Sequence, residues 1–272
     1  MSCDDKRPLI SVIMGVYNIE HLSMFHDAVE SVLSQTMHNF EFLICDDGST
    51  DNTWDILSDI AREEPKIRLL RNSSNMGLAF SLNQCINESY GIFIARQDAD
   101  DISDKTRYQK QIDFLKQNNH ISFVGSNVSL WDETGRWGQR NFPRLPEVKD
   151  FLFTQPFVHG ALMFRKEALQ EVSGYRVAKE TRRTEDYDML MRMYSKGLRG
   201  ANLSEQLYHF REDRAAQKRR KFCYRIDEAK VRYQRFQELD LMPSAWPYIL
   251  KPIVVGLIPP VLLRKLKAMR HF

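Results

Sequence analysis

Cysteine is scarce in this chain. Its 272 residues include only Cys3, Cys45, Cys85 and Cys223, and no two of these have the spacing of metal ligands or of a redox pair. Zinc-knuckle and disulfide-framework classes are thereby excluded, and a reducing compartment is the simple expectation. Glycine-rich phosphate loops are missing as well. Neither G-x-G-x-x-G nor G-x-x-x-x-G-K-[ST] occurs, so ordinary dinucleotide and P-loop readings have no support. The opening residues, MSCDDKRPLI, carry no long apolar stretch, so no secretory signal is expected. A spanning helix needs about 20 apolar residues. The run Tyr248–Leu263 covers 16 and is broken by Lys251, Pro252, Pro259 and Pro260, so none is expected there. Internal repeats and low-complexity tracts are absent too.

Apolar side chains, by contrast, make up 43% of the chain, enough for a real core. The length suits one large α/β domain, alone or with an appendage. The net charge of +3 conceals an asymmetry. From Arg214 onward there are 14 Lys/Arg against 4 Asp/Glu, a net of +10, which leaves −7 for the body. A basic tail on an acidic body points to an anionic surface as the tail's partner.

Four β-rich apolar runs, Leu9–Tyr17, Glu41–Asp47, Ile67–Arg71 and Gly91–Arg96, alternate with segments of helical period. Trp54, Leu57, Ile60 and Ala61 share one helical face, and Leu78, Leu82 and Cys85 another. Continuous apolar strands alternating with helices predict a mostly parallel, Rossmann-like sheet covered on both faces. Ligands of such sheets bind beyond the strand C-termini. Two of these runs end in acid, at Asp46-Asp47 and at Asp98, Asp100 and Asp101. Carboxylates this close repel one another unless a cation joins them. A D-x-D pair at a strand end suits Mg²⁺ or Mn²⁺, which take one or two carboxylates plus substrate phosphates. Asp104 can instead cap the following helix, and CDDGSTDNT also reads as a turn with an N-cap. Past Ile121 the pattern is less regular: a strand and turn, a proline-punctuated stretch, a strand with a short helix, and a helix from Thr184 to a stop at Gly197.

In order, ISVIMGVYN, CDDGSTD, NMGLAFSLN, ARQDADDIS, GYR and TEDYDMLMR resemble family 2 of the glycosyltransferases over about Pro8 to Phe210. The likeness is to branches that build bacterial exopolysaccharide or lipopolysaccharide. It implies the GT-A fold over 1–212, with a nucleotide-sugar half at about 8–120 and an acceptor half at about 121–212. It further implies an inverting, metal-dependent transfer from a nucleoside diphosphate sugar, most simply UDP-linked, to a hydroxyl of a growing, lipid-linked glycan. Tyr17 would stack at the base and Asp47 would accept a hydrogen bond from it. Gly77 would let its loop approach the nucleotide. Asp98 would serve the ribose or the metal, and Asp100 the metal. Arg96 would offset the acids or touch phosphate, or be a structural ion pair. Asp186 of TED matches the catalytic base, with Glu185 beside it, although acids also simply favour a helix start. His159 and Arg211 are the acceptor-side candidates. Gly15 and Lys105 depart from the family pattern.

Residues 213–272 are expected to form a basic, amphipathic helical extension. It would hold the chain peripherally at the cytoplasmic face of the membrane, with Ile249 to Leu263 supplying the apolar part, or else dock on the body as a core helix. A degenerate module that binds a nucleotide or glycan without turnover is the rival from another class. Nucleic acid is not expected as a partner, because the acidic body would repel a phosphate backbone.

Overall fold

The computed structural model describes residues 7–212 and 222–257. Nine strands form one sheet: β1 (Ile10–Val16), β2 (Phe40–Asp46), β3 (Ile67–Arg71), β4 (Phe93–Arg96), β5 (Ile102–Ser103), β6 (Ile121–Asp132), β7 (Gly135–Arg140), β8 (Met163–Arg165) and β9 (Arg199–Arg211). Their order is β3-β2-β1-β4-β8-β6-β9-β5, with β7 hairpinned onto β6. The pairings send β3, β2, β1, β4, β6 and β9 in one direction and reverse only β8, β7 and the two-residue β5. The sheet is therefore mostly parallel, as expected, with the reversed β8 wedged between its two parallel blocks.

Eight helices cover it: α1 (Leu22–Leu33), α2 (Thr53–Glu63), α3 (Leu78–Glu88), α4 (Arg107–Gln117), α5 (Lys166–Glu171), α6 (Glu185–Ser195), α7 (Phe222–Glu238) and α8 (Trp246–Leu257). The two-residue period of a strand sorts the core. Val12 and Met14 of β1 point to a layer with Phe25 of α1, Leu57 of α2 and Ile112 of α4. Ile13 points the other way, to Leu82 of α3, Leu190 of α6 and Phe236 of α7. Both faces are thus buried, which is why these strands read as unbroken apolar runs.

Of the two readings open for the tail, docking on the body describes α7 and the inner face of α8. Val231, Phe236, Ala245 and Ile249 lie in the same core cluster as α6. Burying one such side chain contributes about 1.5–3 kcal/mol. Ile249, expected at a membrane boundary, is therefore a core residue, at 3% exposure. A buried ion cluster ties the layer together. The carboxylate of Asp188 on α6 meets Arg192 at 2.9 Å, Arg235 of α7 at 3.1 Å and Arg176 at 3.4 Å. No helix among the described residues is long and apolar enough to cross a membrane. The basic residues Lys218–Lys221 and the run from Ile258 onward lie outside the described residues.

Candidate active site

The loop after β4 is held by a polar scaffold that begins with Gln97. Its amide donates to the carbonyls of Asp101 at 2.7 Å and Asp98 at 3.1 Å, and its oxygen accepts from Ser103 Oγ at 2.6 Å. Arg107, fully buried at the start of α4, donates to Ser103 Oγ and to the carbonyl of Arg96, both at 2.8 Å. Tyr208 of β9 accepts the Asp98 backbone N–H at 3.1 Å, and Asp101 accepts the N–H of Arg211 at 2.7 Å. Asp104 accepts from the backbone and hydroxyl of Thr106, which closes a turn just ahead of α4, and the N-cap of α4 is Thr106, not Asp104. Asp98 is ion-paired with the buried guanidinium of Arg96. Burial works against the charge of Arg96, but Asp98 and the Tyr175 and Tyr208 hydroxyls hold it protonated.

Burial, and then the neighbouring Asp98, push the carboxyl of Asp100 up, and Asp101 rises well above the usual range for the same reasons. Such crowding of carboxylates is what a divalent cation relieves. Among the described residues no group of three or more His, Cys, Asp or Glu converges as a ready-made metal cage. The donor set fits Mg²⁺ or Mn²⁺ all the same, since these ions complete their shell with phosphate and water.

Asp98 and Asp100 open onto a cleft of about 540 Å³ that is also lined by Gly15, Tyr17, Arg96, Arg183 and Arg211. Tyr17, just past β1, is half exposed there. Asp47 is placed differently from expectation. It is buried, and its carboxylate accepts from Asn72 Nδ2 at 2.7 Å, Met76 N–H at 2.9 Å and Gly77 N–H at 2.8 Å. Three donors from its own chain hold it, so its direct work is to pin the loop ahead of α3. Gly77 is needed for its backbone: φ is +91°, and a Cβ there would meet nothing within 4 Å. Within the chain itself the requirement is conformational. Arg211 is a correction of side. It lines the cleft of Tyr17 and Asp100, not the acceptor side, because β9 ends beside the Asp101 loop.

A second cleft, of about 620 Å³, is lined by His159, Arg183, Asp186, Glu228 and Arg232, with Asp98 again in its wall. Asp186 sits in the first turn of α6 and accepts the N–H of Tyr187 at 2.8 Å. Glu185 beside it is pushed up to about 7, first by burial and then by the charge of Asp186. His159 shares a 2.7 Å hydrogen bond with Tyr175 Oη. Burial, then Arg96, pull its pKa down, while Asp186 and Asp98 oppose them, so the imidazole is held toward neutrality. Gly160 is a true close approach: a Cβ there would lie 2.2 Å from Tyr208 Oη and 2.6 Å from Asp98 Oδ2. Arg183, directly before TED, has φ +77°, uncommon for a residue with a side chain. Asp98 and Arg183 belong to both clefts.

The model of Glycosyl transferase family 2 matches residues 11–173, and that of Glycosyl transferase family group 2 matches residues 147–269. EpsE of Bacillus subtilis (strain 168) is 41% identical over 259 residues, covering 95% of this chain and 92% of that protein. The chain belongs to glycosyltransferase family 2. The UDP-Gal:alpha-D-GlcNAc-diphosphoundecaprenol beta-1,3-galactosyltransferase of Escherichia coli is 26% identical over 238 residues, covering 86% of this chain and 85% of that one. Two solved structures share the fold. Staphylococcus aureus TarS 1-349 in complex with UDP-GlcNAc has a TM-score of 0.66 at 18% identity, covering 91% of this chain and 72% of that one. The mannosyltransferase PcManGT of Pyrobaculum calidifontis, in complex with GDP-Man and Mn²⁺, has 0.62 at 20%, covering 92% and 69%. The GT-A fold expected from the motif order is therefore the fold of this family 2 chain.

Several residues of the family 2 site had no sequence signal. Arg107 and Tyr208 shape the D-x-D loop from a helix and a strand far along the chain, and Glu228 and Arg232 come from beyond the expected domain boundary. Arg183 stands next to TED, but nothing in its neighbours announces a positive φ.

Proposed function

We propose that the chain is an inverting, metal-dependent glycosyltransferase. It moves a sugar from a UDP-sugar to a hydroxyl of a lipid-linked glycan in bacterial surface polysaccharide synthesis, at the cytoplasmic face of the membrane. The observation that carries this reading is the sharing of Asp98 and Arg183 by two clefts. One cleft holds the D-x-D carboxylates and the other holds Asp186, so donor and acceptor groups meet at one wall.

Asp98 and Asp100 would hold Mn²⁺ or Mg²⁺, which supplies charge stabilisation to the leaving diphosphate when bound. Arg211 and Arg183 add positive charge at the same cleft, and Tyr17 offers its ring to the base. Asp186 takes the proton from the acceptor hydroxyl. The acceptor oxygen then bonds to the anomeric carbon as the bond from that carbon to the diphosphate oxygen breaks, which inverts the centre. Glu185, beside Asp186, keeps a proton up to near pH 7. Neutral His159, fixed by Tyr175, orients the acceptor by hydrogen bonding. The donor named in TarS 1-349 and the diphosphoundecaprenol acceptor named in the Escherichia coli relative support these choices of substrate.

The test is an assay of the full chain with UDP-sugars, Mn²⁺ and a polyprenyl-diphosphate sugar. Transfer that stops with chelator, and a product of inverted anomeric configuration by NMR, are expected. Retention of configuration, or full activity in chelator, would overturn the reading.

A further inference from the structure

The α7–α8 pair has two unlike faces. Its inner face is core, through Phe236, Ala245 and Ile249. On the outer face of α8, Leu250, Val254 and Leu257 recur at helical spacing and are 48%, 55% and 71% exposed. Trp246 begins the same stripe. Two exposed rings of α7 extend it. Tyr233 lies 5.7 Å from Trp246 between ring centroids, and Phe222 packs so close to Gly256 that a Cβ there would be 3.0 Å from the ring. The two helices therefore run antiparallel, with an aromatic ring at each end of one continuous apolar stripe. Large side chains exposed together in this way mark an interaction surface, where scattered ones do not.

Charge says which surface would cover the stripe. The outer helix, WPYILKPIVVGL, contains no acidic residue. The chain enters α7 at Phe222 directly after Lys218, Arg219, Arg220 and Lys221, and it continues from Leu257 toward Arg264, Lys265, Lys267 and Arg270. Phe222 lies against Gly256, so the described ends Phe222 and Leu257, next to which these basic stretches stand in the sequence, are at one corner of the stripe. An exposed apolar face free of acid on its outer helix, with strongly basic sequence on either side of it along the chain, matches the headgroup boundary of an anionic bilayer. The stripe also has a fixed relation to the second cleft. Helix α7 gives Glu228 and Arg232 to that cleft, and Phe153, whose ring lies 4.9 Å from Tyr248 of α8, directly precedes Thr154 and Gln155 in its wall.

We propose that the outer face of α7–α8 docks the chain on an anionic phospholipid bilayer and thereby sets the mouth of the acceptor cleft beside the headgroups. This deepens the proposed function and rests on its lipid-linked acceptor.

The full-length chain is sedimented with phosphatidylcholine vesicles, with and without phosphatidylglycerol, beside the variant Leu250→Glu/Val254→Glu/Leu257→Glu. The three positions are exposed, so the fold should persist, as circular dichroism and unchanged Mn²⁺-dependent UDP binding would verify. The proposal expects binding only with the anionic lipid and a loss of about tenfold or more in the variant. It also expects slow transfer by the variant to a vesicle-borne acceptor and normal transfer to a short-chain, water-soluble one. Undiminished vesicle binding by the variant would overturn the surface, as would equal binding to neutral vesicles. A wild-type dimer that the variant converts to a monomer would assign the stripe to a second copy and overturn the bilayer. Failure of the wild type on the soluble acceptor would count against the proposed function instead, while sedimentation still judges the surface.

Discussion

In the parallel first half of the sheet, the named side chains mostly stand at or just past a strand end: Tyr17 after β1, Asp47 after β2, and Asp98 and Asp100 after β4. Around the second cleft, Asp186 lies in the first turn of a helix, His159 sits in a single 3-10 turn before β8, and Glu228 and Arg232 come from α7, far along the chain. The first cleft is a local consequence of the sheet, while the second is assembled from elements that must find one another. A site of the first kind should lose chemistry when a residue is removed and keep its fold. A site of the second kind should also lose stability.

The sharpest test of the local side is Asp100→Ala. Transfer should be abolished and the Mn²⁺ dependence of UDP binding should vanish in calorimetry, with the melting curve nearly unchanged. Undiminished metal dependence would remove Asp100 from the ligand set. On the assembled side, Asp188→Ala should cost about 3 kcal/mol in urea unfolding, because it removes a fully buried carboxylate on which buried Arg235 and half-buried Arg192 and Arg176 converge. A loss below 1 kcal/mol, on the scale of an exposed ion pair, would mean that the arginines find other partners and that α7 is held by apolar packing alone.

Asp186→Asn should lower turnover by about 10²-fold or more, which is about 2.7 kcal/mol, and leave UDP affinity in place. Turnover within a few-fold of wild type would move the base elsewhere. The smallest effect concerns pH. The carboxyl of Glu185 titrates at about 7 in the folded chain against an ordinary 4.5. Between those values the folded chain holds a proton that the unfolded chain has released, so wild-type stability should fall as pH rises from 4.5 to about 7. Glu185→Gln removes that slope. Discounted for solvent screening, it should be the more stable protein at pH 8 by about 1 kcal/mol, seen as a rise of about 2–4 °C in Tm. Parallel pH profiles for the two proteins would refute the shift.

The same contrast explains what could be read in advance. β3 occupies the expected residues, and β1, β2 and β4 lie within two residues of their apolar runs, because strands buried on both faces leave a continuous signal. The strand-end acids followed from them. β9 was not foreseen, since Asn202 to Gln206 is polar and its pairing with β6 slips register there. Helix α7 was legible as a helix, but its place in the core was not. Its buried face includes Asp227, Arg232 and Arg235, charged residues that look like solvent-facing ones until Asp188, Glu228 and the Leu152 carbonyl are seen to meet the arginines. Asp47 was found, but its bonds to the loop ahead of α3 were not, because a carboxylate at a strand end points equally well to a ligand or to the backbone of the next loop.

β9 sets the gauge of the reaction. Its first residue, Arg199, bonds back to the carbonyl of Tyr194 at the end of α6, the helix that carries Asp186. Thirteen residues along a single extended backbone then lead to Tyr208 and Arg211, which grip the loop of Asp98 and Asp101. The span between the start of the D-x-D loop and the end of the helix that carries Asp186 is thus graduated in backbone units, like a ruler clamped at both ends. Residues lining either cleft can change without altering the spacing that β9 keeps between those two elements.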